Sequence, residues 1–333
     1  MANHRMTILP VCCAPPGRGD HEAQRKYAMT IEITRSGKES LFINTPVMPA
    51  SGIFGFGDVY RGIIDIEHLG ALVTNPVTYQ PWHAANGTRV IPLDAGVLVH
   101  TGLPNPGISK VLSHYRTAWS KLPVPVIMHI VATTPDQVAR CASRIEAEDV
   151  VAGIELGLND DTGPHAAEDF VEAAIRYTEK PLLVRLPMQS AYELAEPVAN
   201  AGAGGLVISA PPRGTARDPY SGKLVPGRIY GPLVKPMALR IVGHLAGRID
   251  IPIVGAGGIH SPADARDFLE AGARAVQVDA VTWVEPKMLE IIARDLGGLT
   301  VTRASDAMGD EWYMGMSDST LARRREALRG EDD

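Results

Sequence analysis

The chain has 333 residues, 45% of them hydrophobic and only 5% aromatic, with 33 Gly and 26 Pro. That profile suits short aliphatic strands cut by tight turns rather than a sandwich held by aromatic pairs. A net charge of −6 argues against a nucleic-acid surface, and no run approaches the ~20 apolar residues of a membrane-spanning helix.

Residues 1–28 read as a polar tail. The short apolar run at 8–14 is broken by Pro10 and makes a poor secretory core. Cys12, Cys13 and Cys141 have neither metal-ligand nor redox-pair spacing, so the expectation is no metal and a reducing, cytoplasmic location. From residue 40, apolar runs of strand length alternate with amphipathic stretches. Strands are expected near 44–49, 71–77, 124–130, 150–156, 181–186, 204–209, 251–255 and 274–278. Helices are expected near 58–68, 107–120, 134–148, 165–179, 189–202, 233–247, 261–271 and 284–295. Eight strand-helix units are the count of a closed (β/α)₈ TIM barrel, assigned to residues 29–298.

Two helix starts are marked chemically. Thr134-Pro135-Asp136-Gln137 and Ser261-Pro262-Ala263-Asp264 are capping boxes with proline at the first helical position. Three strand-to-helix connections are long, 78–106, 157–164 and 210–232, and in a barrel they lie at the catalytic face. Residues 299–333 form a C-terminal extension. It carries an apolar cluster (Trp312, Tyr313, Met314, Met316) and a solvated basic run at Arg323, Arg324 and Arg325.

Gly255-Ala256-Gly257-Gly258 follows the seventh strand, and the eighth ends at Val278-Asp279-Ala280. Glycines there let backbone N–H groups approach a phosphate, at the usual anion site of this architecture; the plainer reading is a tight turn that needs positive φ.

Four segments in order resemble the dihydroorotate dehydrogenase family. They are 46–57 (Pro-Val-Met-Pro-Ala-Ser-Gly-Ile-Phe-Gly-Phe-Gly), 102–107 (Gly-Leu-Pro-Asn-Pro-Gly), 231–240 (Gly-Pro-Leu-Val-Lys-Pro-Met-Ala-Leu-Arg) and 251–278. Together they span about residues 40 to 295. The resemblance implies FMN, with Ala50, Ser51 and Gly52 along the ring and Gly231, Gly257 and Gly258 near the phosphate. Arg185 stands where the family has a lysine on the fifth strand. It would place a permanent cation at the ring's electron-rich edge, or form a structural ion pair inside the mouth.

The departures from the family cluster on the substrate side. The family's strand-four motif, Asn-x-Ser-Cys-Pro-Asn, becomes Gly157-Leu158-Asn159-Asp160-Asp161-Thr162. Further positions hold Val99, Ser209 and Asn75 where the family has asparagine, asparagine and lysine. The amides that would grip orotate are therefore missing together, so a different small substrate is expected. Asp279 replaces a glycine beside the phosphate, and a carboxylate there argues against FMN.

Asp160, at the place of the family's base, is the first candidate for proton transfer, with a solvated loop or helix cap as its alternative. His100 is the second, with a structural role equally open. Asn75, Ser209 and Arg213 are candidate substrate contacts. Arg213, Arg217, Lys223 and Arg228 either bind an anionic substrate or form a solvated loop face. The expected function is an FMN-dependent oxidoreductase, assembled as a homodimer, acting on a small molecule rather than on nucleic acid or membrane. The alternative is a flavin-free barrel, a lyase or a ligand-binding protein, that kept the fold and lost the redox site.

Overall fold

The computed structural model describes residues 30–35 and 40–297. The N-terminal tail with Cys12 and Cys13, and the extension with its aromatic cluster and basic run, lie outside the described residues.

Eight parallel strands form the barrel: Val47–Pro49, Leu72–Val73, Val126–Val131, Gly153–Gly157, Leu182–Pro187, Gly205–Ala210, Ile253–Ala256 and Ala275–Val278. Each falls within a residue or so of a run expected to be a strand, except that the second keeps only two residues of its ladder. The eighth strand pairs back onto the first. Between the first and second, the Gly70 N–H donates to the Val47 carbonyl at 2.8 Å.

Side chains of a strand point alternately to its two faces, and the burial pattern divides accordingly. Met48, Val73, Ile127, Leu183, Val207, Val254 and Ala275 fill the barrel interior. Val47, Leu72, Val126, Leu182, Leu206, Ile253 and Val276 meet the helices outside. A hairpin of Ile31–Glu32 and Phe42–Ile43 lies ahead of the first strand and contributes Ile33, Leu41 and Ile43 to the interior cluster.

Seven of the eight expected helical regions form, the main helices being Ile108–Trp119, Pro135–Glu146, Pro164–Ile175, Ala191–Asn200, Lys235–Ala246, Pro262–Glu270 and Lys287–Leu296. Both N-caps form. Thr134 accepts from the Gln137 N–H, Ser261 accepts from the Asp264 N–H, and the Asp264 carboxylate accepts from the His260 N–H.

Two expectations need correction. No α-helix forms near 58–68, where the chain makes successive turns ending in a 3₁₀ turn at Ile66–His68. Gly62, with φ +80, takes a left-handed conformation in the middle of that stretch and ends any right-handed helix. The connections 78–106 and 210–232 are also not simple loops. They contain the hairpins Val90–Leu93 with Gly96–Val99 and Arg213–Arg217 with Leu224–Tyr230, which join into one four-stranded antiparallel sheet. Gly227 permits the junction, because a Cβ there would lie 2.7 Å from the Val99 carbonyl oxygen.

Candidate active site

Strand periodicity decides which polar groups face the barrel axis. Two residues beyond the apolar interior layer, the third strand carries His129 after Ile127, and the fifth carries Arg185 after Leu183. The eighth carries Gln277 after Ala275, and on the fourth Glu155 pairs in register with His129. All four are buried, Glu155 and Gln277 completely.

They bond to one another as a closed set. His129 Nδ1 lies 2.8 Å from Glu155 Oε1. Arg185 Nη1 donates to Glu155 Oε1 at 3.2 Å and to Gln277 Oε1 at 3.1 Å. Gln277 Nε2 donates to Glu155 Oε2. Desolvation pushes the Glu155 carboxyl upward, but the Arg185 charge and the bonds from His129 and Gln277 outweigh it and hold the group down to about 2. A buried carboxylate is tolerable only when paired and hydrogen-bonded in this way. Arg185 therefore has its anion within the barrel. Its Nε, however, is buried and bonded to nothing among the described residues.

Above this layer a cavity opens at the C-terminal ends of the strands. Its lining includes Ala50 and Ser51 from the first connection and His129 and Gly157 from the third and fourth strands. Asn159, Arg185, Arg228, Tyr230 and Asp279 complete its polar wall. Ala50, Ser51 and Arg185, singled out from the sequence as ring contacts, thus share one site. Gly52 adjoins them with φ +94, and a side chain there would meet nothing within 4 Å. Asn75 and Ser209 sit close by in the chain to the lining residues Pro76 and Ala210. Asn75 Oδ1 and Ser209 Oγ are also buried without a partner.

The expected proton-transfer residues are placed differently. Asp160 accepts from Arg213 Nε at 2.7 Å and from Arg228 Nη1 at 2.8 Å, and Arg228 Nη2 adds a contact at 2.7 Å. Both its oxygens are engaged, and it does not line the cavity. His100 follows the strand Gly96–Val99, where its N–H donates to the Arg89 carbonyl at 2.7 Å, and it is also outside the lining. Arg213 is largely exposed and occupied by Asp160. Arg217 donates to the Gly222 carbonyl.

The expected phosphate residues come together. A Cβ on Gly258 would lie 2.4 Å from the Lys235 nitrogen and 3.0 Å from the Gly231 carbonyl oxygen, and Gly257 has φ +114. The two glycine segments therefore pack backbone to backbone, and no acceptor bonds the N–H of Gly258 or Ile259 among the described residues. Unbonded N–H groups in such a turn suit an anion. Asp279 is turned onto its own chain, its Oδ1 accepting from the Ala280 N–H at 2.6 Å. Burial raises its pKa, only partly offset by that N–H and by the nearby Arg185 guanidinium.

His129, Glu155 and Gln277 were not singled out in the sequence. Their signal is one polar residue inside an otherwise apolar run, as in Val-Ile-Met-His-Ile-Val. In a barrel strand such a residue faces either the helices or the axis, and only the axis offers it partners.

No helix among the described residues is long and apolar enough to cross a membrane. Asp65, Glu67 and His68 bring ligand-type atoms within 4.8 Å of one another, but on a surface turn away from this cavity.

The family model for dihydroorotate dehydrogenase matches residues 37–299. The catalytic subunit of dihydroorotate dehydrogenase B (NAD(+)) from Pelobacter propionicus is 33% identical over 289 residues, covering 81% of this chain and 95% of that protein. The corresponding subunit from Trichlorobacter lovleyi is 34% identical, with 81% and 93% covered. That from Halalkalibacterium halodurans is 30% identical, with 82% and 96% covered.

Proposed function

The chain belongs to the dihydroorotate dehydrogenase family, and on that premise we propose that it is an FMN-dependent oxidoreductase acting on a small molecule other than dihydroorotate. The observation that carries the cofactor is Arg185 Nε, a buried and unpartnered donor on a residue that lines the mouth, with the likewise unpartnered Asn75 Oδ1 and Ser209 Oγ one residue along the chain from lining residues. A buried polar atom costs about 1–3 kcal/mol if left unsatisfied, so the free Arg185 Nε beside the cavity supports a polar ligand there. The unbonded N–H groups of Gly258 and Ile259 supply the anion end.

These residues fit FMN. Ala50, Ser51 and Gly52 would border the ring, Arg185 its electron-rich edge, and Gly231, Gly257 and Gly258 the phosphate. When bound, FMN supplies the acceptor for a hydride from a substrate C–H bond. The chain's own residues hold the substrate and keep water out. Arg185 is fixed by Glu155 and Gln277, so it presents charge without reorganising. Arg228 lines the cavity and is steadied by Asp160 and by the Pro211 carbonyl. It is the cation best placed for an anionic substrate group, because it lines the cavity whereas Arg213 is largely exposed outside it. The substrate argument rests on Val99, Gly157, Thr162 and Ser209, which leave orotate's donors and acceptors without the amides expected of the family.

A flavin-free barrel is the second reading, and two observations favour it. The Asp279 carboxylate already satisfies the Ala280 N–H. The mouth cavity has a volume of ≈ 110 Å³, below the ~300–1,000 Å³ usual for ligand pockets.

The experiment is anaerobic absorbance of the FMN-loaded protein mixed with dihydroorotate, against a panel of other small cyclic amides and hydroxy acids. Bleaching by a panel compound and not by dihydroorotate is expected. Rapid bleaching by dihydroorotate would overturn the substrate assignment.

A further inference from the structure

We propose that His129 is the proton acceptor this pocket presents to its substrate, in the role the sequence assigned to Asp160. The inference rests on the oxidoreductase reading for the fate of the hydride, and on the geometry of the ring for the fate of the proton.

The ring is fixed from one side. Its Nδ1 is 2.8 Å from a Glu155 oxygen, and Glu155 is fully buried and held ionised by Arg185. An ionised carboxylate only accepts, so Nδ1 must be the donor. The neutral imidazole then carries its single proton on Nδ1 and leaves a lone pair on Nε2.

That lone pair faces the site. Nε2 bonds to no group among the described residues, and His129 lines the mouth cavity. Its place is made by the neighbouring strand, since a Cβ on Gly157 would lie 2.7 Å from Nε2. Any side chain at 157 would collide with the ring, so glycine there is what admits the imidazole. Asp160, by contrast, has both oxygens taken by guanidinium groups. The other titratable groups facing the cavity are Arg185, Arg228, Tyr230 and Asp279. The arginines are permanently charged. Burial pushes Tyr230 up to about 12, which leaves it a donor. Asp279 has one oxygen on the Ala280 N–H and is the competing acceptor in the cavity, which the His129→Asn variant separates from His129.

In a dehydrogenation across two neighbouring atoms, one hydrogen leaves as hydride, with its electron pair, to the flavin-class oxidant. The other leaves as a proton to Nε2, and its bonding pair becomes the new π bond. The resulting imidazolium shares the Glu155 carboxylate, 2.8 Å from Nδ1, with Arg185.

The test is ¹⁵N NMR of the full-length, histidine-labelled protein without substrate, paired with diethyl pyrocarbonate, which acylates unprotonated imidazole nitrogen. In the neutral ring, Nε2 of His129 is expected to be unprotonated and Nδ1 protonated. Acylation of His129 is expected in the parent and at least tenfold slower in Gly157→Ala, whose methyl crowds Nε2. With a panel compound that bleaches the flavin, the bleaching rate should fall as His129 protonates. That pH dependence should vanish in His129→Asn and persist in Asp160→Asn. A proton on Nε2 throughout about pH 6–9, or a pH dependence that survives His129→Asn, overturns the inference while leaving the flavin reading intact. An unprotonated, acylated Nε2 in a protein that binds no FMN has the opposite consequence. It keeps the base and removes the oxidoreductase.

Discussion

The buried quartet makes Glu155 the most consequential single residue in the barrel. Glu155→Gln would leave the Arg185 charge uncompensated in the interior, a change that typically costs about 3–5 kcal/mol. Because the folded carboxyl lies well below its ordinary value, its stabilisation is fully present above about pH 4.5 and is lost as pH falls toward 2. Denaturant titration of parent and variant should therefore differ most near neutrality and converge in acid. Equal midpoints at neutral pH would contradict the pairing. Asp279 has the opposite sign. Its folded pKa is raised, so its unfavourable ionisation builds up as pH rises above the unfolded value of about 3.8 and is complete above the folded one. Asp279→Asn keeps an acceptor for the Ala280 N–H and removes the charge. It should raise the melting temperature at pH 8, by about 2 °C per kcal/mol relieved, and leave it unchanged near pH 4. A loss of stability at pH 8 would show that Asp279 is paired with a cation.

At the scale of elements, most boundaries were legible because local chemistry and burial agree. The capping boxes at Thr134 and Ser261 place their helices by satisfying first-turn N–H groups, and Ser261→Ala should cost about 1 kcal/mol in a thermal melt. No measurable loss would mean that the Asp264 contacts suffice alone. The stretch 58–68 misled because its apolar spacing is helical while Gly62 is left-handed. Gly62→Ala would meet open space, so any cost, about 1–2 kcal/mol, is conformational. A stabilised variant would mean that the turn can relax into a helix. The antiparallel sheet was illegible for another reason. Its four strands come from two connections more than 100 residues apart, and polar, glycine-rich sequences such as Arg-Gly-Thr-Ala-Arg carry little alternation of their own. The site follows the same rule. Glycine turns and the first-strand loop could be read because backbone conformation demands those residues. The inward-facing quartet could not, because partners from four strands are assembled only by barrel closure.

For the whole molecule, the barrel brings together an aliphatic lower interior, a neutral charged layer and a polar mouth beneath an antiparallel sheet. The glycine segments lie at one side of that mouth, where unbonded N–H groups and the Asp279 carboxylate make opposite demands on an anion. The balance between them decides whether the chain is a flavoprotein, and titration of the full-length protein with FMN, followed by flavin fluorescence, measures that balance directly. The account predicts saturable 1:1 quenching by FMN, with riboflavin binding at least tenfold more weakly because it lacks the phosphate, and some gain in FMN affinity for Asp279→Gly. No binding of FMN by the parent at high concentration, with binding restored in Asp279→Gly, would contradict it and leave the flavin-free barrel.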